Sequence, residues 1–283
     1  ALDARAVFST RFPPRQVSLR PRPLARRATA PDDMVGIGPV AYEMVVEYRV
    51  RETGFYTGQE YVPGRGYRPD SGARMFQIDR VTRKVSLSRY AIDLTPVTNS
   101  QYAEFLKRSG YEPRQPENFL KHWRNGAPVP GTEDHPVVYV DLDDARAYAA
   151  WAGKRLPTEE EWQYAAQGPN AFRYPWGHAI RPAVCNAGET GGTTPVRAFP
   201  DGRSPFGCYD MCGNTWEWTE SERSDGRTRF AIIRGGSYYE AKGSYWYMDG
   251  GPHPTNFAAK VLLTWPGLDR CATIGFRCAA ELA

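Results

Sequence analysis

Three helical periods lie before Gly168 of this sequence, and none lies after it. That asymmetry limits the fold more than any other feature. Beyond Gly168, glycine and proline recur too often for a long helix, because glycine costs backbone entropy and proline removes a donor. Short strands and loops are what remain there. Helices early and irregular β structure late make an α+β pattern rather than a bundle or a parallel α/β sheet. The 283 residues suffice for one large domain or two small ones, with a core that needs no disulfide staples. Tyr, Trp and Gly number 17, 8 and 27, a mix that suits loops pinned by aromatic packing. No internal repeat is visible.

Each helical period carries its own start and stop. Thr98 or Asn99 can cap the first, Tyr102, Phe105 and Leu106 fall on one face, and Gly110 ends it. The second runs from about Asp141 to Ala152, with Asp143 and Asp144 in the first turn, where the helix dipole favours carboxylates. Tyr148 and Trp151 share its face and Gly153 stops it. The third opens on a capping box, Thr158 with Glu161, turns Trp162 and Ala165 inward and ends at Gly168. Alternating apolar and polar residues predict strands at Met44–Val50 and Lys84–Ile92, with a long glycine- and proline-rich loop from Gly54 to Gly72 between them.

The net charge of +4 is unevenly spread. Residues 1–27 hold seven arginines against Asp3 alone, so about +6, which leaves the rest of the chain at about −2. The body is therefore no basic nucleic-acid binder. The tail also carries Pro13, Pro14, Pro21 and Pro23 and reads as an extended arm, lying on the body or on a neighbouring subunit. No run approaches the roughly 18 apolar residues of a membrane span. The chain opens on Ala1 with no leader visible, as either a processed chain or a piece of a longer one.

Five cysteines, Cys185, Cys208, Cys212, Cys271 and Cys278, leave at least one unpaired within a monomer. Their spacings and the lack of a His-x-x-x-His partner argue against zinc. A disulfide between two of these segments in an oxidising compartment and buried free thiols are both open. No Ser-His-Asp order and no phosphate loop is recognisable.

Several ordered motifs now bear a family likeness. They are Val97-Thr-Asn-Ser-Gln-Tyr-Ala-Glu-Phe105, the run from His135 to Ala166 with Arg155-Leu-Pro-Thr158 at its centre, and Tyr174-Pro-Trp-Gly177. Gly207-Cys-Tyr-Asp-Met-Cys-Gly-Asn-Thr-Trp-Glu-Trp-Thr219 and Arg234-Gly-Gly-Ser237 with Gly275-Phe-Arg-Cys278 complete the set. In this order they resemble the formylglycine-generating-enzyme (sulfatase-modifying factor) family over about residues 34–280, with Met34–Ile37 like its opening strand. The resemblance implies that family's variant of the C-type-lectin-like fold, in one domain at 34–283 behind an arm at 1–33.

The resemblance also shows what is missing. The family's oxidase uses two cysteines after the Gly-Gly-Ser turn to bind copper, a task that needs soft thiolates. Here Glu240 occupies the first position and Tyr245 or Trp246 the second, so no copper is expected. The family usually joins the cysteine matching Cys278 to one at the position of Ala149; Cys271 or another thiol could replace it. The loop matching Asp210–Glu217 wraps calcium in the family, with the Asp210 and Glu217 side chains and the Gly213 and Thr215 carbonyls as ligands, a hard oxygen set. A second family site near Asn186 and Ala187 lacks its matching aspartate in Gly188–Gly192.

Segment 238–270 departs most from the family. It carries Tyr238, Tyr239, Tyr245, Trp246, Tyr247, Asp249, His253, Asn256 and Trp265 where arginines are usual. Aromatic rings with a few carboxylates suit stacking on sugar faces; core or interface packing is the plainer alternative. The expectation is a non-catalytic binding or assembly protein, extracellular or periplasmic, that offers Glu240, Tyr245, Trp246, Asp249 and His253 to a glycan, a peptide or a neighbouring subunit. The arm would mediate any oligomer. The alternative is a metal-dependent oxidase or oxygenase using a non-cysteine site such as Glu240, Asp249 and His253.

Overall fold

The structure, a computed structural model, describes residues 27–49, 61–62, 66–67, 78–224, 229–240, 250–263 and 269–283. The chain opens with Met34–Ile37 (β1), the strand expected there, followed by Val40–Arg49 (β2). Two short strands, Tyr61–Val62 (β3) and Gly66–Tyr67 (β4), pair with each other inside the expected loop. The rest of 54–72, and Val50, lie outside the described residues. Ile78–Leu87 (β5) then pairs antiparallel with β2 along the whole length of both.

The single strand expected at Lys84–Ile92 is two strands, because the next one is Tyr90–Asp93 (β6). Their surroundings differ. β5 is half exposed, with Val81 at 44 %, whereas all four residues of β6 are buried. β6 lies between β1 and Ala279–Glu281 (β11), antiparallel to both. A strand walled in on both edges and packed into a core cannot continue the wet and dry alternation of the hairpin before it.

The three helices are Asn99–Ser109 (α1), Leu142–Trp151 (α2) and Glu159–Gln167 (α3). Each begins with a reciprocal capping box, Thr98 with Gln101, Asp141 with Asp144 and Thr158 with Glu161, which satisfies two orphan amide groups per helix. Among the described residues no α-helix follows Gln167, only two three-residue 3-10 turns. No described helix is long and apolar enough to cross a membrane.

The second half builds one sheet from Trp216–Ser224 (β7), Arg229–Arg234 (β8), Ala258–Leu262 (β9) and Ile274–Phe276 (β10), in the order β10-β7-β8-β9. β10 runs parallel to β7 and the other pairs are antiparallel. The helices α1 and α2 close over this sheet with aromatic side chains. Tyr102 and Tyr148 stack at 5.7 Å between ring centres, and Phe276 meets Tyr148 edge-on at 5.4 Å. Trp218 is fully buried and its Nε1 donates to the Val140 carbonyl at 3.0 Å. Each such buried side chain contributes roughly 1.5–3 kcal/mol.

Residues 1–26 of the expected arm lie outside the described residues. Its last part lies on the domain: the Arg27 amide donates to the Glu281 carbonyl at 3.1 Å, and the Asp33 carboxylate meets Lys154 Nζ at 2.9 Å. All five cysteines are free thiols. Cys278 sits in the core, its amide donating to Asp93 Oδ2 at 2.8 Å, while Cys271 Sγ rests 3.3 Å from Thr273 Oγ1.

Candidate functional site

The loop Asp210–Glu217 turns where three successive features demand it. Asp210 and Asn214 take positive φ of 55° and 60°, and Gly213 takes 83°. Asn tolerates that region and glycine has no Cβ to oppose it. A Cβ on Gly213 would also stand 2.5 Å from the Asn186 carbonyl oxygen, so a second chain passes too close for any side chain. The loop ends by entering β7, which places Glu217 opposite Gly275 of β10, two residues before Arg277.

That register creates a buried charge network. Arg277 Nε donates to Glu217 Oε2 at 2.6 Å and Nη2 to Oε1 at 2.7 Å. Trp162 Nε1, reaching from α3, donates to Oε2 at 2.7 Å. Arg277 also donates to the carbonyls of Asp93 at 3.1 Å and Tyr209 at 2.7 Å. Both charged side chains are fully buried, so each compensates the other's desolvation. Sequence reasoning quoted both residues inside motifs and missed that they pair.

Asp210 has no such relief. Its Oδ2 is buried with no hydrogen-bond partner. Burial pushes its carboxyl up to about 8, with Glu217 adding to the rise and Arg277 opposing it. Thr215 Oγ1 is buried and unpartnered in the same loop. An orphaned, buried carboxyl oxygen is the donor chemistry a hard cation accepts. Glu217 Oε1 takes a single hydrogen bond and keeps a lone pair. The residues present therefore fit the calcium expectation. Among the described residues no cluster of three or more His, Cys, Asp or Glu side chains could hold a metal, so a cation here depends on main-chain oxygens.

The Gly235-Gly236 turn stands against this loop. The Gly213 amide donates to the Gly235 carbonyl at 2.9 Å, and the Tyr238 amide to the Asn214 carbonyl at 3.0 Å. Residues 236–240 then run beside 250–253, joined by Ser237 N to Gly251 O and Gly251 N to Tyr239 O, both at 3.0 Å. A Cβ on Gly236 would lie 2.3 Å from the Gly251 carbonyl oxygen, and one on Gly250 would strike the Tyr239 carbonyl. Two chain segments thus close the base of the intervening segment. Tyr245, Trp246 and Asp249, like Tyr247 and Trp265, fall outside the described residues.

Of the expected ligand-contacting residues, Glu240 is exposed at that base, beside Tyr239, which is 56 % exposed. His253 is packed instead. Its ring stacks on Phe257 with centres 4.1 Å apart and lies 5.2 Å from Trp216. Its carbonyl accepts a hydrogen bond from Cys212 Sγ at 3.2 Å. Burial raises the Cys212 thiol well above its ordinary range, so in the folded chain it is shielded from reagents in solution. The structure therefore brings Asp210, Gly213, Thr215 and Glu217 into one loop and sets His253 behind it and Glu240 at its outer edge. A separate cavity of about 350 Å³, which the sequence did not suggest, lies where Lys154 bridges Asp33 and Asp93 at 2.9 and 2.7 Å, near Thr98, Tyr148 and Arg197.

A family model described as Sulfatase-modifying factor enzyme 1-like domain matches residues 50–282. Among curated proteins, the inactive C-alpha-formylglycine-generating enzyme 2 of Mus musculus is 33 % identical, over 70 % of this chain and 77 % of that protein. The formylglycine-generating enzyme of Thermomonospora curvata is 36 % identical, over 57 % of this chain and 70 % of that protein. Among solved structures, PvdO from Pseudomonas aeruginosa superimposes with a TM-score of 0.55 at 22 % identity, covering 88 % of this chain and 94 % of its own. CarF gives 0.51 at 23 %, covering 89 % and 99 %.

Proposed function

Because this chain belongs to the sulfatase-modifying factor enzyme 1-like family, with its α+β, loop-rich fold, we propose that it is a non-catalytic binding or assembly protein on that scaffold. One observation carries the reading. Immediately past the Gly235-Gly236-Ser237 turn, where the family's oxidase places its first thiol, the chain presents the exposed carboxylate Glu240. A carboxylate is a poor ligand for cuprous copper, which soft thiolates hold. Cys212, the thiol whose hydrogen bond reaches His253, is buried, so it offers no exposed substitute. Meanwhile the residues that hold the scaffold, Glu217, Arg277 and Trp162, are all in place. A relative named inactive and others named as enzymes match the chain comparably, so residues rather than names decide.

In this proposal Glu240, Tyr245, Trp246 and Asp249 belong to a surface, backed by the packed His253, that takes a glycan first, and otherwise a peptide or a neighbouring subunit reached through the arm at 1–33. Aromatic faces match sugar rings, and the carboxylates match hydroxyls. Asp210, Gly213, Thr215 and Glu217 hold a structural calcium ion beneath that surface, and the protein works in an extracellular or periplasmic compartment. Incubation with a Cys-x-Pro-x-Arg peptide and copper, followed by mass spectrometry, should yield no formylglycine; the aldehyde product would overturn the proposal. Binding on a glycan array that Trp246→Ala abolishes would support it, whereas stoichiometric iron or copper in the purified protein would favour an oxidase instead.

A further inference from the structure

We propose that Cys185 and Cys212 form a disulfide site that fastens two segments together behind the Asp210–Glu217 loop. The geometry begins with the main chain. Asn214 N donates to Asn186 O at 3.0 Å, and Asn186 Nδ2 donates back to Asn214 Oδ1 at 3.2 Å. A Cβ on Gly213 would stand 2.5 Å from the Asn186 carbonyl oxygen. Asn186 and Gly213 each follow one of the two cysteines, so the seam sets Cys185 against Cys212. The Cys185 thiol donates to the Pro182 carbonyl at 3.6 Å and the Cys212 thiol to the His253 carbonyl at 3.2 Å, and beside burial it is the neighbouring Cys185 thiol that raises Cys212. They are 4 % and 2 % exposed.

None of the other three cysteines has a second thiol among its nearest polar neighbours. Cys208 lies beside Ser204 and Arg277, Cys271 on Thr273, and Cys278 between Asp93 and Lys154. Among the described residues, Cys185 and Cys212 are thus the two thiols on facing sides of one seam, and the other three stand apart. The family pairing implied for Cys278 involves neither member of this pair.

The reaction is thiol–disulfide exchange with an external disulfide, either a glutathione dimer or an oxidoreductase. One cysteine, deprotonated, attacks a sulfur of the oxidant and releases its other half as a thiolate. The second cysteine, deprotonated, then displaces the bound half. Two thiols lose two protons and two electrons, one S–S bond forms here, and the oxidant's S–S bond is reduced to two thiols. Because both sulfurs are buried in the folded chain, exchange takes place during folding, before the seam closes. The bond links the 3-10 turn at Pro182–Val184 to the loop that precedes β7, with His253 seated over Cys212.

The test refolds the full chain with excess oxidised glutathione, or with dithiothreitol, and blocks free thiols with an alkylating reagent under denaturing conditions. Unreduced digestion with trypsin and chymotrypsin, cutting at Tyr209 to separate Cys208 from Cys212, precedes mass spectrometry. The oxidised arm should give a Cys185–Cys212 linked pair, with Cys208, Cys271 and Cys278 alkylated. Reductant should lower Tm by roughly 5–10 °C in the wild type and hardly at all in Cys185→Ala. Alkylation of both Cys185 and Cys212 in the oxidised arm, or linkage of either to another cysteine, overturns the proposal. The mapping needs only the wild-type chain, so it holds even where the variant fails to fold. It is also independent of copper and glycan binding, so it can fail or succeed apart from the functional proposal.

Discussion

Glu217 shows how much a single side chain carries here. It meets Arg277 through both oxygens and Trp162 through one, with no solvent to replace either partner. Glu217→Gln keeps the volume but leaves a buried guanidinium without its counter-charge. With a chelator present, urea denaturation should show a loss of about 3–5 kcal/mol; a loss under about 1 kcal/mol would mean that water reaches Arg277. His122 poses the opposite case, a base kept neutral. Its Nε2 lies 2.9 Å from Asn99 Oδ1 and its ring stacks on Tyr139 at 5.7 Å. Burial lowers its pKa to about 4. Since the folded value lies below the unfolded value of about 6.5, the unfolded chain takes up the proton first. The stability it contributes is therefore complete above pH 6.5 and falls away as pH drops toward 4. NMR of the His122 ring protons should show a midpoint near 4; a midpoint near 6.5 would contradict the burial.

Among the elements, the hairpin-like base at 236–240 and 250–253 governs what the divergent segment can present. Gly236 has a φ of 81° and no room for a Cβ against the Gly251 carbonyl. Gly236→Ala combines a left-handed backbone with a clash on main chain that cannot swing away. It should cost about 1–3 kcal/mol and open the base to limited proteolysis. Unchanged Tm and an unchanged digestion pattern would show that the two segments are not held together. The helices show the reverse situation, local chemistry sufficient in itself. Thr98, Asp141 and Thr158 each find an acceptor side chain three residues on, so all three starts are set by neighbours in sequence.

At the level of the whole molecule, the two halves of the chain meet at the Asp210–Glu217 loop. The loop touches Gly235, Asn186, Trp162 and Arg277, which come from four separate stretches of sequence. A cation bound there stabilises the complete fold rather than one element. Calcium at about 100 times its dissociation constant contributes about 2.7 kcal/mol, which raises Tm by roughly 5–10 °C. Differential scanning calorimetry should show that rise in the wild type and not in Asp210→Asn. A calcium-independent Tm in the wild type would remove the metal from the account.

The sequence by itself determined the α+β class, the three helices with their caps, the opening strand and the family membership, because each rests on residues a few positions apart or on motifs in fixed order. It did not separate β5 from β6, since alternation in sequence cannot say when a strand passes from a half-wet hairpin into the centre of a sheet. Only the tertiary structure decided that Arg277 and Trp162 both donate to Glu217, that Asp210 Oδ2 is left without a hydrogen-bond partner and that His253 is packed rather than offered outward. The same holds for the cysteines, since Cys271 rests on Thr273 and Cys278 beside Asp93 rather than on each other. The reason is common to all of these. Contacts between residues tens to hundreds of positions apart depend on strand register and close backbone approach, and neither is written in the local pattern of a chain.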